Sequence, residues 1–111
     1  MSMFIEEYAR KYKKRFVRAI RTVREHRVQK LLIDNLDKDI WLITSSTGSK
    51  YLVIPGTYCS CTDFLINVVI KRKVDKCYHL IAQEIASKTG AFSIASITDL
   101  REFFKEIFKY M

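Results

Sequence analysis

The stretch that decides the fold begins with Cys59-Ser-Cys61, continues for fifteen residues, and ends with Cys77-Tyr-His79. It contains all three cysteines of this 111-residue chain and one of its two histidines. Three thiolates and one imidazole are a ligand set of closed, tetrahedral structural zinc sites. We therefore predict that Cys59, Cys61, Cys77 and His79 bind one structural zinc ion per chain.

The three cysteines could instead form part of a disulfide framework, or simply be buried. A disulfide framework fits poorly, because three is an odd number and cysteines two positions apart rarely meet the geometry of a disulfide. Three buried cysteines beside an unrelated histidine remain an alternative, although the tight clustering of the four residues favours a metal site.

The sequence around each ligand pair predicts where the pair lies. A β-branched and aromatic run, 51–54, precedes Pro55-Gly56, so the first pair follows a strand and lies on a turn or a short strand end. In an extended C-x-C segment both sulfurs point to the same side. A helical pattern over 78–88, closed by Gly90, places Cys77 in the preceding loop and His79 in the first helical turn.

The same residues resemble the SWIM-type zinc finger family, whose pattern is C-x-C, a variable gap, and C-x-H. The run 48–54 is similar to the leading strand of that family, and Cys61-Thr-Asp-Phe64 is similar to its aromatic-bearing helix entry. Ala82 extends the pattern to C-x-H-x-x-A, as in small SWIM proteins of Shu-type recombination complexes. The resemblance covers about residues 40–86.

Phe64 and Ala82 are expected to support the zinc site. Ala82 lies three residues after His79 and so on the same helix face, where a bulky side chain would hold the helix away from the zinc hairpin.

We predict an α+β fold in a single domain, 1–111, with the SWIM core flanked by two terminal helices. Strand-like segments at 27–33, 40–45 and 49–54 are rich in β-branched and aromatic residues and predict a three-stranded antiparallel meander. The zinc-bound SWIM ββα-type module follows at its exit. Trp41 is expected to anchor the core. Between the ligand pairs, we expect a short helix through Ile70 that is N-capped by Thr62 and buries Phe64, Leu65, Val68 and Val69.

The N-terminal segment carries nearly all of the excess positive charge. Residues 1–30 contain ten basic and three acidic residues, whereas the whole chain has a net charge of +8. Aromatic and aliphatic residues recur in steps of three and four, which predicts one long basic helix over about 3–26. His26 is expected at the end of that helix.

Such a helix has three possible roles. Its basic face can be a solvated outer surface, can contact nucleic-acid phosphates, or can bind an acidic protein or an anionic lipid surface. For the nucleic-acid role we select Arg10, Lys14, Arg18 and Arg21, together with a second patch at Lys71, Arg72 and Lys73 that Lys76 would join. The second patch also has a structural explanation, because bases complement the dipole at a helix C-terminus.

A C-terminal helix is predicted over about 98–110, with N-caps available between Ser96 and Asp99. Its apolar face either packs on the sheet or meets another protein. That face comprises Leu100, Phe103, Phe104, Ile107, Phe108 and Met111.

The sequence gives little support for catalysis. It contains no glycine-rich phosphate loop and no recognisable serine–histidine–acid arrangement, and four protein ligands would leave zinc no position for an activated water. Asp63, two residues after Cys61, is the nearby carboxylate that we consider as a catalytic acid or base, and a single acid is weak support for catalysis. We predict a protein that is not an enzyme.

The resemblance implies an accessory factor of homologous recombination and DNA repair. Its implied partners are a RecA/Rad51-type recombinase paralogue and single-stranded or branched DNA. A protein-interaction adaptor, or a DNA binder in transcription or transposition, remains an alternative, and a homo-oligomer is possible. Free thiols used as metal ligands predict an intracellular location (cytoplasm or nucleoid, or a eukaryotic nucleus). No stretch approaches the ~18–20 apolar residues of a membrane span.

Overall fold

The computed structural model describes residues 3–34, 36 and 39–109, without the side chains of Met3 and Leu100. These residues form a mixed α+β fold with a five-stranded sheet, as the predicted α+β class requires. The helices are α1 (Met3–Tyr12), α2 (Lys14–Arg24), the π-helix π1 (Phe64–Ile70), α3 (Tyr78–Thr89) and α4 (Leu100–Phe108). The strands are β1 (Val28–Ile33), β2 (Ile40–Thr44), β3 (Lys50–Ile54), β4 (Tyr58–Cys59) and β5 (Ser93–Ile97).

The sheet has the order β4-β3-β2-β1-β5. Strands β1, β2 and β3 pair antiparallel, and they are the three strands that the sequence predicts. The sheet has two further strands: β4 ends at Cys59, where the sequence allowed a short strand end, whereas β5 was not predicted. The short β4 pairs antiparallel with β3, and β5 pairs parallel with β1 at the opposite edge. Between β1 and β2, residues 35, 37 and 38 lie outside the described residues.

The two faces of the sheet are covered by different helices. On one face, α2 and α3 bury the main core, which includes Trp41, Ile43, Val53 and Ile81. The ring of Trp41 packs at 4.8 Å from that of Phe92, so this residue is the core anchor that the sequence predicts. On the other face, α4 closes a smaller core around Leu31, Leu42 and Ile107.

The prediction of one long N-terminal helix is wrong. Lys13 adopts a left-handed φ of 51° between α1 and α2, although no glycine or proline marks the position. Its N–H still donates to the carbonyl of Ala9 and its own carbonyl accepts from Val17. The reorientation allows the aromatic residues of α1 and the apolar face of α2 to pack into the same core beside α3. His26 lies just after α2, at the expected helix end, with a left-handed φ of 57°.

The segment between the ligand pairs also differs from prediction. A helix begins at Thr62, and from Phe64 it is wound as a π-helix, in which the N–H of Lys71 donates to the carbonyl of Ile66, five residues back. Phe64 is buried, but Leu65 and Val69 are 54% and 50% exposed, so the prediction that both face inward is wrong. A wider helical turn changes which side chains share a face, and a 3.6-residue period therefore fails here.

The remaining helices begin and end near their predicted positions. Helix α3 ends at Gly90, whose left-handed φ of 77° suits a C-cap glycine. The C-terminal helix starts at Leu100 rather than at 98, because the carboxylate of Asp99 accepts the Glu102 N–H as an N-cap. Residues 110 and 111, which the predicted helix and its apolar face included, lie outside the described residues.

Among the described residues, no helix combines the length and the apolar character that crossing a membrane demands.

Candidate metal centre

The structure brings all four predicted ligand residues together. The donor atoms of Cys59, Cys61, Cys77 and His79 all lie within 4.8 Å of one another. A tetrahedral ion with metal–sulfur bonds near 2.3 Å would hold such donors about 3.5–3.8 Å apart, so small side-chain adjustments suffice. The four residues are 1%, 6%, 0% and 3% exposed, in that order. The cluster could therefore hold a metal ion away from water.

Three different elements position the ligands. Cys59 ends the edge strand β4, where it pairs with Val53 of β3. Cys61 opens the following helix, and its Sγ accepts the N–H of Phe64 at 3.3 Å. The predicted N-cap Thr62 is thus replaced by Cys61, which lies one residue earlier. Cys77 is the extended N-cap residue of α3, and His79 follows in the first turn of that helix.

Two tyrosine rings fix the imidazole of His79. The centroids of Tyr51 and Tyr78 lie 4.4 Å and 3.9 Å from that of His79. The Nδ1 atom faces the Sγ of Cys77 at 3.9 Å, whereas the buried Nε2 has no hydrogen-bond partner among the described residues. The ring nitrogens of His79 are thus held in a buried position beside the cysteines. Sequence analysis missed the two tyrosines, although Tyr78 is the middle residue of the C-x-H motif.

The electrostatics of the thiols favour a bound cation. Hydrogen bonds from Cys59 and Cys77 hold the pKa of Cys61 well below its usual range. The interaction with Cys61 in turn raises the pKa of Cys59. Without a cation, the cluster accommodates one thiolate and disfavours a second beside it, because like charges repel in a buried site. A metal ion would remove this penalty and keep the thiols deprotonated.

The two predicted support residues lie beside the cluster. Phe64 is buried and its ring meets that of Tyr58 at 5.6 Å. Ala82 is fully buried on α3, the helix that packs against β3 and β4. A larger side chain at Ala82 would push α3 away from the strands that carry the first ligand pair.

Asp63, the carboxylate two residues after Cys61, is engaged in structural contacts. Its two oxygens accept from Arg15 at 2.9 and 3.1 Å, and Oδ1 also accepts from Asn67 at 2.7 Å. The hydrogen bonds from Arg15, and to a lesser extent the one from Asn67, hold the pKa of Asp63 below its usual range, although partial burial acts in the opposite direction. Sequence reasoning missed this bidentate pair because its partners are 48 residues apart. It ties the basic helix α2 directly to the helix entry beside Cys61.

A second polar network ties α1 to the loop before Cys77. The hydroxyl of Tyr8 donates to Glu84 at 2.5 Å, and the Lys76 ammonium donates to Tyr8 at 3.0 Å and forms an ion pair with Glu84. Lys76 is therefore engaged with Glu84, and the prediction that it joins a basic patch with residues 71–73 is not supported.

The residues predicted to bind nucleic acid are all exposed, but they lie on three elements. Arg10 lies on α1, Lys14, Arg18 and Arg21 lie on one face of α2, and Lys71, Arg72 and Lys73 lie after π1. Arg18 also contacts the ring of Tyr78 at 4.2 Å, which links it to the metal centre. The break at Lys13 separates Arg10 from the other three, so the expected single face is divided between two helices.

Comparison with known proteins gives limited information. No family model matches the chain, and no solved structure matches it. An uncharacterised protein of Archaeoglobus fulgidus is 36% identical over 55 residues. The match covers 50% of this chain and 43% of that protein, so the chain spans less than half the length of the relative it matches.

Proposed function

We propose that the protein is a zinc-stabilised, non-enzymatic binding module of the SWIM type. The observation that supports this proposal is the buried Cys3His cluster, whose four donor atoms lie within 4.8 Å of one another. Zinc suits three thiolates and one imidazole in a tetrahedral, buried site. With all four positions filled by Cys59, Cys61, Cys77 and His79, the ion would supply folding energy rather than a reactive water. The engagement of Asp63 with Arg15 and Asn67 further supports a structural role.

The proposed ligand is DNA, bound through its phosphates. Seven of the ten bases in residues 1–30 are exposed, and the ion pair of Arg15 with Asp63 and the ring contact of Arg18 attach their helix to the metal centre. A rigidly mounted basic surface loses less conformational entropy on binding than a flexible tail. By the SWIM resemblance, we propose single-stranded or branched DNA, and a role beside a RecA/Rad51-type recombinase paralogue in recombination and repair inside the cell.

A charge-matched pair of variants tests DNA binding. Arg10→Glu, Lys14→Glu and Arg21→Glu are combined, while Arg18 is kept because it contacts Tyr78. The control combines Arg101→Glu, Lys105→Glu and Lys109→Glu on or just after α4, which changes net charge by the same amount. Affinity for an oligonucleotide is measured by fluorescence anisotropy over a range of salt concentrations. We expect the first variant, and not the control, to bind weakly and with a flatter salt dependence. Equal binding by both would contradict the proposal.

A protein-interaction adaptor is the second candidate function, and the surface of π1 favours it. Leu65, Val69 and Ile70 are 54%, 50% and 65% exposed, beside the half-exposed Ile66 and Tyr58. Neighbouring exposed apolar side chains of this kind mark interaction surfaces. A second copy would bring two Lys71–Lys73 clusters together, so an acidic partner fits this surface better than a homo-oligomer. This function would be supported by a wild type that binds no DNA but co-purifies with a recombinase paralogue, together with a Leu65→Ser and Val69→Ser variant that no longer co-purifies with it.

A further inference from the structure

A cleft joins the end of α1 to the turn that follows π1. Its volume is about 590 Å³, and it is lined by Lys11, Tyr12, Val68, Arg72, Lys73, Val74 and Asp75. The sequence assigned basic residues in α1 and after π1 to two separate patches. In the structure, Lys11 of α1 and Arg72 and Lys73 after π1 line one cleft, together with the apolar side chains of Val68 and Val74.

The charge of the cleft suits an anion. Asp75 accepts from the ammonium of Lys11 at 3.1 Å and is also hydrogen-bonded to the hydroxyl of Tyr12. Arg72 and Lys73, by contrast, are exposed and make no ion pair within the described residues. After the pairing of Lys11 with Asp75, two uncompensated positive charges therefore face the cleft.

The turn that carries these two cations is held in place. The carbonyl of Asn67 accepts the N–H groups of Lys73 at 2.8 Å and Val74 at 3.3 Å. The side chain of Asn67 in turn donates to Asp63, which is bound by Arg15. A ligand that enters the cleft thus meets cations on an ordered support that is connected to the metal centre.

We propose that this cleft holds the backbone of a single nucleic-acid strand, with a phosphate held by Arg72 and Lys73 after π1 and by Lys11 of α1. This inference rests on the proposed DNA binding and names where and in what form the strand is bound. The apolar floor of Tyr12, Val68 and Val74 favours a single strand, because its bases and sugars are available for apolar contact. A duplex presents chiefly its charged backbone and keeps its bases stacked inside, so it would leave these apolar side chains without a partner.

The experiment compares two double variants of equal charge with the wild type. Arg72→Gln with Lys73→Gln removes the free cations of the cleft, and Lys105→Gln with Lys109→Gln removes two from the C-terminal region. Each variant is titrated with a labelled oligothymidine and with a duplex of equal length. On a single strand, each phosphate contact makes the logarithm of the affinity fall by roughly 0.7 for every tenfold rise in salt concentration. One contact therefore contributes about fivefold in affinity at 0.1 M salt relative to 1 M. Because the proposed site neutralises one phosphate, we expect the first variant to lose about fivefold in single-strand affinity, and the control to bind as the wild type does.

A third variant, Asp75→Asn, should change the single-strand affinity in the opposite direction. The amide retains a hydrogen-bond acceptor for Tyr12 but removes the negative charge and frees Lys11, so we expect single-strand affinity to increase several-fold. A merely structural role of Asp75 would lower affinity or leave it unchanged. Each variant is first checked for wild-type zinc content and circular dichroism.

The outcomes separate the two proposals. If the wild type binds oligothymidine and the cleft variant binds it as tightly as the control does, the cleft is not the site, although DNA binding stands. If the cleft variant loses duplex and single-strand affinity equally, the single-strand assignment is wrong. If the wild type binds neither DNA at low salt, both proposals fail.

Discussion

Removing the Arg15–Asp63 pair tests whether the basic helix α2 and the metal-binding segment stabilise each other. The pair is bidentate, with distances of 2.9 and 3.1 Å, and its side chains are 29% and 31% exposed. Arg15→Met and Asp63→Asn, alone and combined, form a double-mutant cycle. Because each substitution approximately preserves side-chain volume, the coupling energy reports the pair itself.

The magnitude follows from the partial burial. Two opposite charges 4 Å apart attract by roughly 4 kcal/mol at an effective dielectric constant of about 20. Desolvation and lost side-chain freedom offset much of this attraction, and fully exposed pairs retain only about 0.2–1 kcal/mol. Hydrogen bonds to charged groups contribute about 1.5–3 kcal/mol. For this two-thirds-buried pair, we expect a coupling energy of about 1–2 kcal/mol.

The assay is urea unfolding at pH 7 with the same free zinc concentration for all four proteins, because bound metal adds to the stability. Arg15 holds the pKa of Asp63 below its usual value, so this stabilisation is complete above the unfolded-state pKa of about 3.9 and is lost as pH falls through the folded-state pKa. The coupling energy should therefore be the same at pH 6 and pH 8. A coupling energy below about 0.3 kcal/mol would refute the reasoning.

Three further predictions concern the metal and the second core. Cys77→Ser should reduce zinc from one ion per chain to none, measured by elemental analysis, and should abolish cooperative thermal unfolding; a stably folded, metal-free wild type would show that metal is not required. Acidification below about pH 6 should release zinc to a chromophoric chelator as protons compete for the thiolates and the imidazole, together with a loss of helical circular dichroism. Full retention of metal at about pH 3 would contradict this. Ile107→Ala should lower the free energy of unfolding by about 2–5 kcal/mol. Phe108 is 66% exposed, so Phe108→Ala should lower it by about 0.5 kcal/mol or less. Equal losses would mean that α4 does not pack as described.

The sequence predicts those parts of the fold whose signals are local. The strands of the meander follow from β-branched runs, and α3 follows from its apolar period and the C-cap Gly90. The four metal-ligand residues are recognisable because the two ligand pairs carry all the cysteines of the chain.

The parts that the sequence does not predict depend on distant partners. The break at Lys13 has no glycine or proline signal, and it accompanies the packing of α1 and α2 in one core with α3. Strand β5 is a weakly alternating Ser-Ile-Ala-Ser-Ile segment whose partner, β1, lies in the first third of the chain. The bidentate pair at Asp63 and the packing of Tyr51 on His79 likewise join residues that are far apart in sequence.

The position of β5 at the sheet edge has a consequence for how the protein opens. Strand β5 and α4 contact the rest of the molecule through β1 and the smaller core, whereas every metal-ligand residue lies earlier in the chain. We therefore expect this C-terminal portion to detach while the candidate metal centre stays closed, because sub-global openings of this kind expose amide protons at lower free energy than complete unfolding. Amides of 93–97 should therefore exchange with deuterium faster than those of 80–86 in α3. Limited proteolysis should remove the C-terminal portion first and leave a fragment that still retains its metal.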